Sequence, residues 1–194
     1  VKLNGNTDEK NYNISKHEGK LEVTRRGTAY EVTVKANSLT ATYDGNPKTA
    51  SGFEGETAQG IPVTANGQSY YVTGLTSSAT GTNVLDSGEV PVTGTAVVKD
   101  AEGNDVTEQF SVKVARGSLT ISRRTVTLTS ATDSKQYDGT PLTSKVVTPG
   151  GEGWANGEGA TYNVTGSRTL VGSSANTFKY TLNANTDENN YTIT

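Results

Sequence analysis

Apolar and polar residues alternate along most of this chain. Leu21/Val23, Val32/Val34, Val112/Val114, Leu119/Ile121 and Val126/Leu128 each place one apolar side chain in every two positions. A period of two turns one face of an extended strand inward and the other outward, the pattern of half-buried antiparallel strands. Thr fills many of the intervening positions, as suits a pleated solvent face. No stretch combines the apolar period of a helix with helix caps. The turn signals "DGNP", "ANGQ", "DAEGND", "DGTP" and "ANGEG" interrupt the alternation, at intervals of roughly 8–12 residues. Some seven short strands in about 95 residues predict an all-β fold of immunoglobulin-like β-sandwich type.

The wording of the chain also repeats. Tyr43-Asp44-Gly45 and Pro47 return as Tyr137-Asp138-Gly139 and Pro141, and Val32/Val34 align with Val126/Leu128 at the same offset of 94. "EGKLEVTRR" (18–26) matches "RGSLTISRR" (116–124), "KLNGNTDEKNYNI" (2–14) matches "TLNANTDENNYTI" (181–193), and "YYVTGL" (70–75) resembles "YNVTGS" (162–167). Repetition at a fixed period marks one structural unit copied in tandem. Three pieces are expected: tail strands of a preceding repeat at 1–26, a complete repeat at 27–124, and a repeat at 125–194 without the "G-x-L-x-V/I" strand that closes the others. A fragment boundary out of frame with the array is one explanation. The other is that residues 19–24 of one molecule fill the gap in the next by β-strand addition, since an unfilled sheet edge presents unpaired backbone groups. The connection "SLTISRRTVTLTS" (118–130) passes between copies through little more than Arg123-Arg124. It lacks the Gly/Ser content of a loose tether, so consecutive units are expected to form a semi-rigid rod.

Composition narrows the function classes. Of 194 residues only 31% are hydrophobic, and the mean hydropathy is -0.55, which fits thin two-sheet cores rather than a wide α/β enzyme. A net charge of -3 and a pI near 5.2 argue against an electrostatic nucleic-acid binder. Cys is absent, so neither disulfides nor Cys-ligated metal enter. No apolar run approaches the ~20 residues of a membrane helix, and no secretion signal is recognisable. With no Met at any position, the chain reads as an internal fragment of something longer.

Few residues could carry chemistry. Tyr-Asp-Gly-x-Pro is explained as a turn: Asp44 and Asp138 bond their own backbone, Gly45 and Gly139 take positive φ, and Pro47 and Pro141 fix the next φ. Tyr43 and Tyr137 are then expected to pack at a sheet edge with their hydroxyls in water. As a catalytic unit the motif supplies one carboxylate and one phenol with no base beside them. Asp100, Glu102, Asn104 and Asp105 in "KDAEGNDVTEQF" have spacings resembling a calcium loop, but the later Glu and the helical flanks of such a loop are missing; a hairpin is the simpler reading. Trp154, the only tryptophan, lies in a Gly-rich loop and could stack on sugar or cover the end of a sandwich. Tyr70 and Tyr71 are the other exposed-aromatic candidates for a glycan or glycoprotein. His17 is the only histidine and sits in a charged turn, so no thiol or serine triad can be assembled. Lys, Asn and acidic residues are all present, yet no trio matches an isopeptide-forming set. No cofactor and no enzymatic activity are expected.

Taken together, "YDGTPLT", "GEGATYNVTGSRTLVGSSANTFKYTLN", "GNDVTEQFSV" and "NYNISKHEGKLEVTRR" resemble the tandem YDG- and MBG-type immunoglobulin-like repeats of large bacterial surface proteins, found mainly in gut Firmicutes. The resemblance extends over essentially the whole chain and is closest at 125–194 and 1–26; the middle repeat keeps the scaffold with different wording. It implies a cell-wall-attached or secreted multi-domain protein whose repeats act as a stalk or adhesive region, and it transfers no catalytic residue. The expected function is a non-catalytic extracellular spacer at the bacterial cell surface. Two alternatives stand beside it: a carbohydrate- or glycoprotein-binding module, and a head-to-tail fibre unit joined through residues 19–24. Expected partners are neighbouring repeats, identical molecules by strand addition, and a host glycan or glycoprotein. Nucleic acid and membrane insertion of this fragment are not expected.

Overall fold

The computed structural model describes residues 2–194. Within them the alternating segments form fourteen strands, and helix is limited to four single 3-10 turns. The middle segment carries β1 (Tyr30–Lys35), β2 (Leu39–Thr42), β3 (Lys48–Ser51), β4 (Ile61–Ala65), β5 (Gln68–Gly81), β6 (Gly88–Val90), β7 (Val92–Lys99), β8 (Phe110–Ala115) and β9 (Gly117–Ser122). Burial follows the period of two: Ile61, Val63 and Ala65 are buried along β4 while Pro62 and Thr64 face solvent. In β9, Gly117, Leu119 and Ile121 are buried in turn.

Strand direction is mixed rather than purely antiparallel. β3, β4 and β7 pair antiparallel with β5, and β6 pairs antiparallel with β9. However, β1 runs parallel to β8, with Val32 opposite Val112, and β2 runs parallel to β9, with Leu39 opposite Leu119. Period-two alternation reports which face is buried and is blind to the direction of the neighbour. The parallel pairs arise because the first strands of the segment lie beside its last.

β5 is long enough to serve two cores because it breaks at Gly74. The register shifts between Thr73 and Leu75, where Gly74 (φ 79) faces Gly94 (φ 99). A Cβ on Gly74 would lie 2.3 Å from the Thr95 carbonyl oxygen, and one on Gly94 would lie 2.2 Å from that of Gly74. This glycine-dependent bulge bends the strand. On one side of it, Val72 packs with Val32, Val34, Phe53, Ile61 and Val98. On the other, Ala79 rests against a second core of Tyr43, Val90, Leu119, Ile121, Val126 and Tyr191. That second core contains residues from both sides of Arg124, so it crosses the boundary read from the sequence.

The last segment holds β10 (Arg124–Ser130), β11 (Val147–Gly151), β12 (Ala160–Val164), β13 (Phe178–Leu182) and β14 (Tyr191–Ile193). β10 pairs antiparallel with β11 and parallel with β14. Its register sets Arg124 opposite Tyr191, as β1 sets Tyr30 opposite Phe110. Residues 131–146 contain no strand; apart from the Ala131 amide, which donates to the Val146 carbonyl at 3.0 Å, their backbone pairs only in an isolated bridge, Leu142 to Arg168. By sequence offset this stretch corresponds to 37–52, which holds β2 and β3. β2 pairs with β9 alone, and a strand without a partner leaves its backbone groups to water. Among the described residues nothing lies beside 133–136 in the way β9 lies beside β2.

Residues 19–24, expected as a strand, are likewise unpaired, and Leu21 and Val23 are 100% and 101% exposed. The turn Glu9–Asn11 nevertheless forms without any buried residue, capped by Asp8, whose carboxylate accepts from the Lys10 amide at 3.1 Å. The same turn recurs at Glu188–Asn190, where Asp187 accepts from Asn189 at 2.9 Å. Turn geometry is thus written locally, whereas pairing depends on what the strand meets.

Candidate functional site

The most built polar site lies where the last segment meets the middle one. Tyr43, at the start of the Tyr-Asp-Gly turn after β2, is 4% exposed. Its hydroxyl donates to Oε1 of Glu158, and the Tyr191 hydroxyl donates to Oε2 of the same carboxylate at 2.7 Å. Tyr191 also accepts from the Ala155 amide at 3.0 Å. The Tyr43 and Tyr191 rings meet edge-on at 5.5 Å, and Trp154 meets Tyr191 at 5.0 Å. One carboxylate shared by two buried phenols is a charge-assisted arrangement, stronger than a neutral pair.

A cation and an amide secure the rim. Arg124, where β9 gives way to β10, donates from Nε to the Gly153 carbonyl at 2.7 Å and from the guanidinium to the carbonyls of Glu152 and Tyr43. Asn190, 1% exposed, accepts from the Val84 amide at 2.9 Å and donates to Asn83 Oδ1 at 2.9 Å. Burial, followed by the hydrogen bond to Glu158 and then its charge, pushes the Tyr43 phenol up to about 12. Burial first, then the bond to Glu158 and its charge, raise that of Tyr191 further, against the opposing effect of the Ala155 amide. Both phenols are protonated donors at neutral pH. The cluster holds two segments together; its hydroxyls and carboxylate already satisfy one another.

Tyr137, the counterpart of Tyr43, is 65% exposed. The turns themselves are alike. Asp44 Oδ1 accepts from the Asn46 amide at 2.9 Å and its Oδ2 from Lys48 at 2.6 Å; Asp138 Oδ1 accepts from the Thr140 amide at 2.9 Å and from Lys135 at 2.8 Å. Gly45 and Gly139 take φ of 81° and 77°, and Pro47 and Pro141 follow at the surface. The lysine partner is the leading cause holding each aspartate below the usual carboxylate range.

The other candidates are dispersed. Trp154 is half-buried, and its indole nitrogen donates to the Tyr162 hydroxyl at 3.1 Å. Tyr70 packs in the first core, 4.7 Å from the Phe110 ring, and Tyr71 follows it on the opposite face of β5. Trp154 belongs to the second core, so the structure does not unite these aromatics. Asp100 Oδ1 accepts from the Glu102 and Asn104 amides at 3.1 and 2.8 Å, and Asp105 accepts from Thr107 at 2.9 Å. Their oxygens serve the turn between β7 and β8. Among the described residues no three of His, Cys, Asp and Glu are grouped as a metal site would require, and no helix is long and apolar enough to cross a membrane.

Sequence reasoning did not single out Glu158, Tyr191 or Asn190, and it read Arg124 only as part of the connection between copies. A signal existed: "ANGE" (155–158) repeats "ANGQ" (65–68), and "NYTI" repeats "NYNI". The recurrence marks a reused loop tip, while its partner 115 residues away is visible only in the fold. No family model, curated protein or solved structure matches this chain.

Proposed function

We propose that the chain is a non-catalytic stalk segment in which tandem immunoglobulin-like repeats, 27–124 and 125–194, are held end to end as a semi-rigid spacer. The observation that carries this reading is the continuous core through the joint: Tyr43, Leu119 and Ile121 on one side with Val126, Ala155 and Tyr191 on the other. A single residue, Arg123, separates β9 from β10, and its guanidinium donates to the Asn189 carbonyl at 3.1 Å. A flexible tether would need unpacked Gly/Ser-rich chain at this place. The extracellular, bacterial-surface setting rests on the resemblance of the repeats alone. The spacer reading is preferred to a glycan-binding module because Trp154 and Tyr70 are committed to packing and lie in separate cores.

Small-angle X-ray scattering of the wild-type chain and of a Tyr43→Ala/Glu158→Ala variant tests the spacer. The expected wild-type profile is that of one elongated body fitted by a single conformation, with the variant requiring a spread of bend angles. A wild-type profile that already requires such a spread would overturn the reading.

A further inference from the structure

Tyr30 and Tyr70 pack their rings against Phe110, and Tyr162 packs against Phe178. Among the described residues Tyr43 and Tyr191 alone bring two phenol rings together, edge-on with centroids 5.5 Å apart. Both hydroxyls donate to one carboxylate, Tyr43 to Oε1 and Tyr191 to Oε2 of Glu158, so the hydroxyl ends of the rings converge. Burial and the bond to Glu158 keep both phenols protonated. Neither is therefore oxidised as a phenolate; the electron leaves when the proton leaves with it. Glu158 already holds each proton in a charge-assisted bond and is itself half-buried, so a proton that it takes passes on to water. Tyr43 and Tyr191 are closed to direct contact with an oxidant, being 4% and 2% exposed. Trp154 supplies a route: it is half-buried, and its ring lies 5.0 Å from that of Tyr191. Its indole nitrogen donates to the Tyr162 hydroxyl at 3.1 Å, which fixes the ring. An electron passes between aromatic rings at this spacing without the oxidant entering the core.

We propose that Tyr43 and Tyr191 are an oxidative cross-linking pair: a one-electron oxidant of the peroxidase class, supplied with hydrogen peroxide, joins their rings by a carbon–carbon bond and ties the two segments covalently. Each phenol in turn gives one electron to the oxidant by way of Trp154 and its hydroxyl proton to Glu158, which hands the first proton to water before it takes the second. The two phenoxyl radicals pair, and one bond forms between the ring carbons next to the hydroxyls. Those two carbons then release their hydrogens as protons, and the hydroxyls are restored. Two electrons and two protons leave the protein in all, and they reduce one hydrogen peroxide to two waters. The hydroxyls bound to opposite oxygens of one carboxylate hold the coupling carbons on facing sides, so the bond needs a turn of one ring about its side-chain torsions.

The chain has no Cys, so a disulfide cannot lock this joint, and the tyrosine pair provides a covalent tie of another chemistry at the same place. Tyr43 follows β2 and Tyr191 begins β14, so the bond spans the passage at Arg123-Arg124. This inference rests on the geometry of the cluster and not on the spacer reading. Scattering reads the stiffness of the joint without oxidant, whereas the cross-link is read from the covalent product, so the failure of one is distinguishable from the failure of the other.

The test treats the full chain, dilute enough to suppress links between molecules, with a peroxidase and hydrogen peroxide, and maps the products by peptide mass spectrometry with fragmentation. The variants Tyr43→Phe, Tyr191→Phe, Glu158→Gln and Trp154→Phe are treated alike, after circular dichroism has verified that each is folded. The expected wild-type product is a chain lighter by two hydrogens, with the blue fluorescence of linked tyrosines and with residues 43 and 191 in one cross-linked peptide pair. That product should be absent from both tyrosine variants and should form several-fold more slowly in Glu158→Gln and in Trp154→Phe. A wild-type chain that yields no link between 43 and 191 would overturn the proposal. So would links confined to the exposed Tyr12, Tyr137 and Tyr180, because the oxidant would then act on the surface alone. A rate that Glu158→Gln or Trp154→Phe leaves unchanged would overturn the part assigned to that residue.

Discussion

Tyr43 and Tyr137 share a five-residue motif and differ in everything beyond it. The motif specifies a turn through the aspartate and the positive-φ glycine, and both copies close that turn with the same bond, from the amide two residues on to the aspartate carboxylate. Whether the tyrosine is buried depends on a partner far along the chain, Glu158, which no local pattern reveals. Tyr43→Ala is therefore expected to lower stability by about 3–4 kcal/mol, the range for losing a large buried ring. Tyr137→Ala should change it by less than ~0.5 kcal/mol. Urea unfolding followed by Trp154 fluorescence measures both; equal effects would mean that the joint does not distinguish the two tyrosines. The joint should also be sensitive to alkali. The folded chain holds the Tyr43 proton up to about 12, whereas an unfolded tyrosine releases it near ~10. The stabilisation is thus intact below the unfolded value and is lost as pH rises through the folded one. A pH series of the same unfolding experiment should show a decline that begins at about pH 10 in wild type and is smaller in Tyr43→Phe.

At the scale of strands, similar wording again leads to different outcomes. "GSLTIS" in β9 is buried and paired on both edges, whereas "GKLEVT" at 19–24 is unpaired and exposed. Leu119→Ala should cost about 2–5 kcal/mol, as core leucines do, and Leu21→Ala should leave the stability of the monomer unchanged; thermal unfolding of dilute samples separates them. The alternation made both segments legible as potential strands, because one apolar residue in two is a local property. It could not reveal that β1 and β2 run parallel to their neighbours, or that 133–136 would remain without a strand, because pairing is decided by what lies alongside. The bulge at Gly74 and Gly94 was equally hidden: both are ordinary strand glycines until each is seen to press against a carbonyl of the opposite strand, Gly74 against that of Thr95 and Gly94 against that of Gly74. Gly94→Ala, with a Cβ pressed 2.2 Å from a carbonyl oxygen, should destabilise by more than about 2 kcal/mol through strain at positive φ, measured in the same unfolding assay.

For the whole molecule, the repeat wording located Arg123-Arg124 as the passage between two segments, and the short connection implied stiffness. The proposed stiffness rests on the second core, which uses Tyr43 and Ile121 from one segment and Val126, Ala155 and Tyr191 from the other. A boundary drawn on sequence divides this core in two, although its packing is continuous. Rigidity across the joint is the central claim, and the absence of native Cys makes it directly measurable. Spin labels at Glu102→Cys in the middle segment and Ser173→Cys in the last, both exposed, report the distance between the segments by pulsed electron paramagnetic resonance. A single narrow distance distribution, broadened when Tyr43→Ala and Glu158→Ala are added, is the predicted result. A broad distribution in the otherwise unmodified chain would contradict it, since the two segments would then move independently despite their shared core.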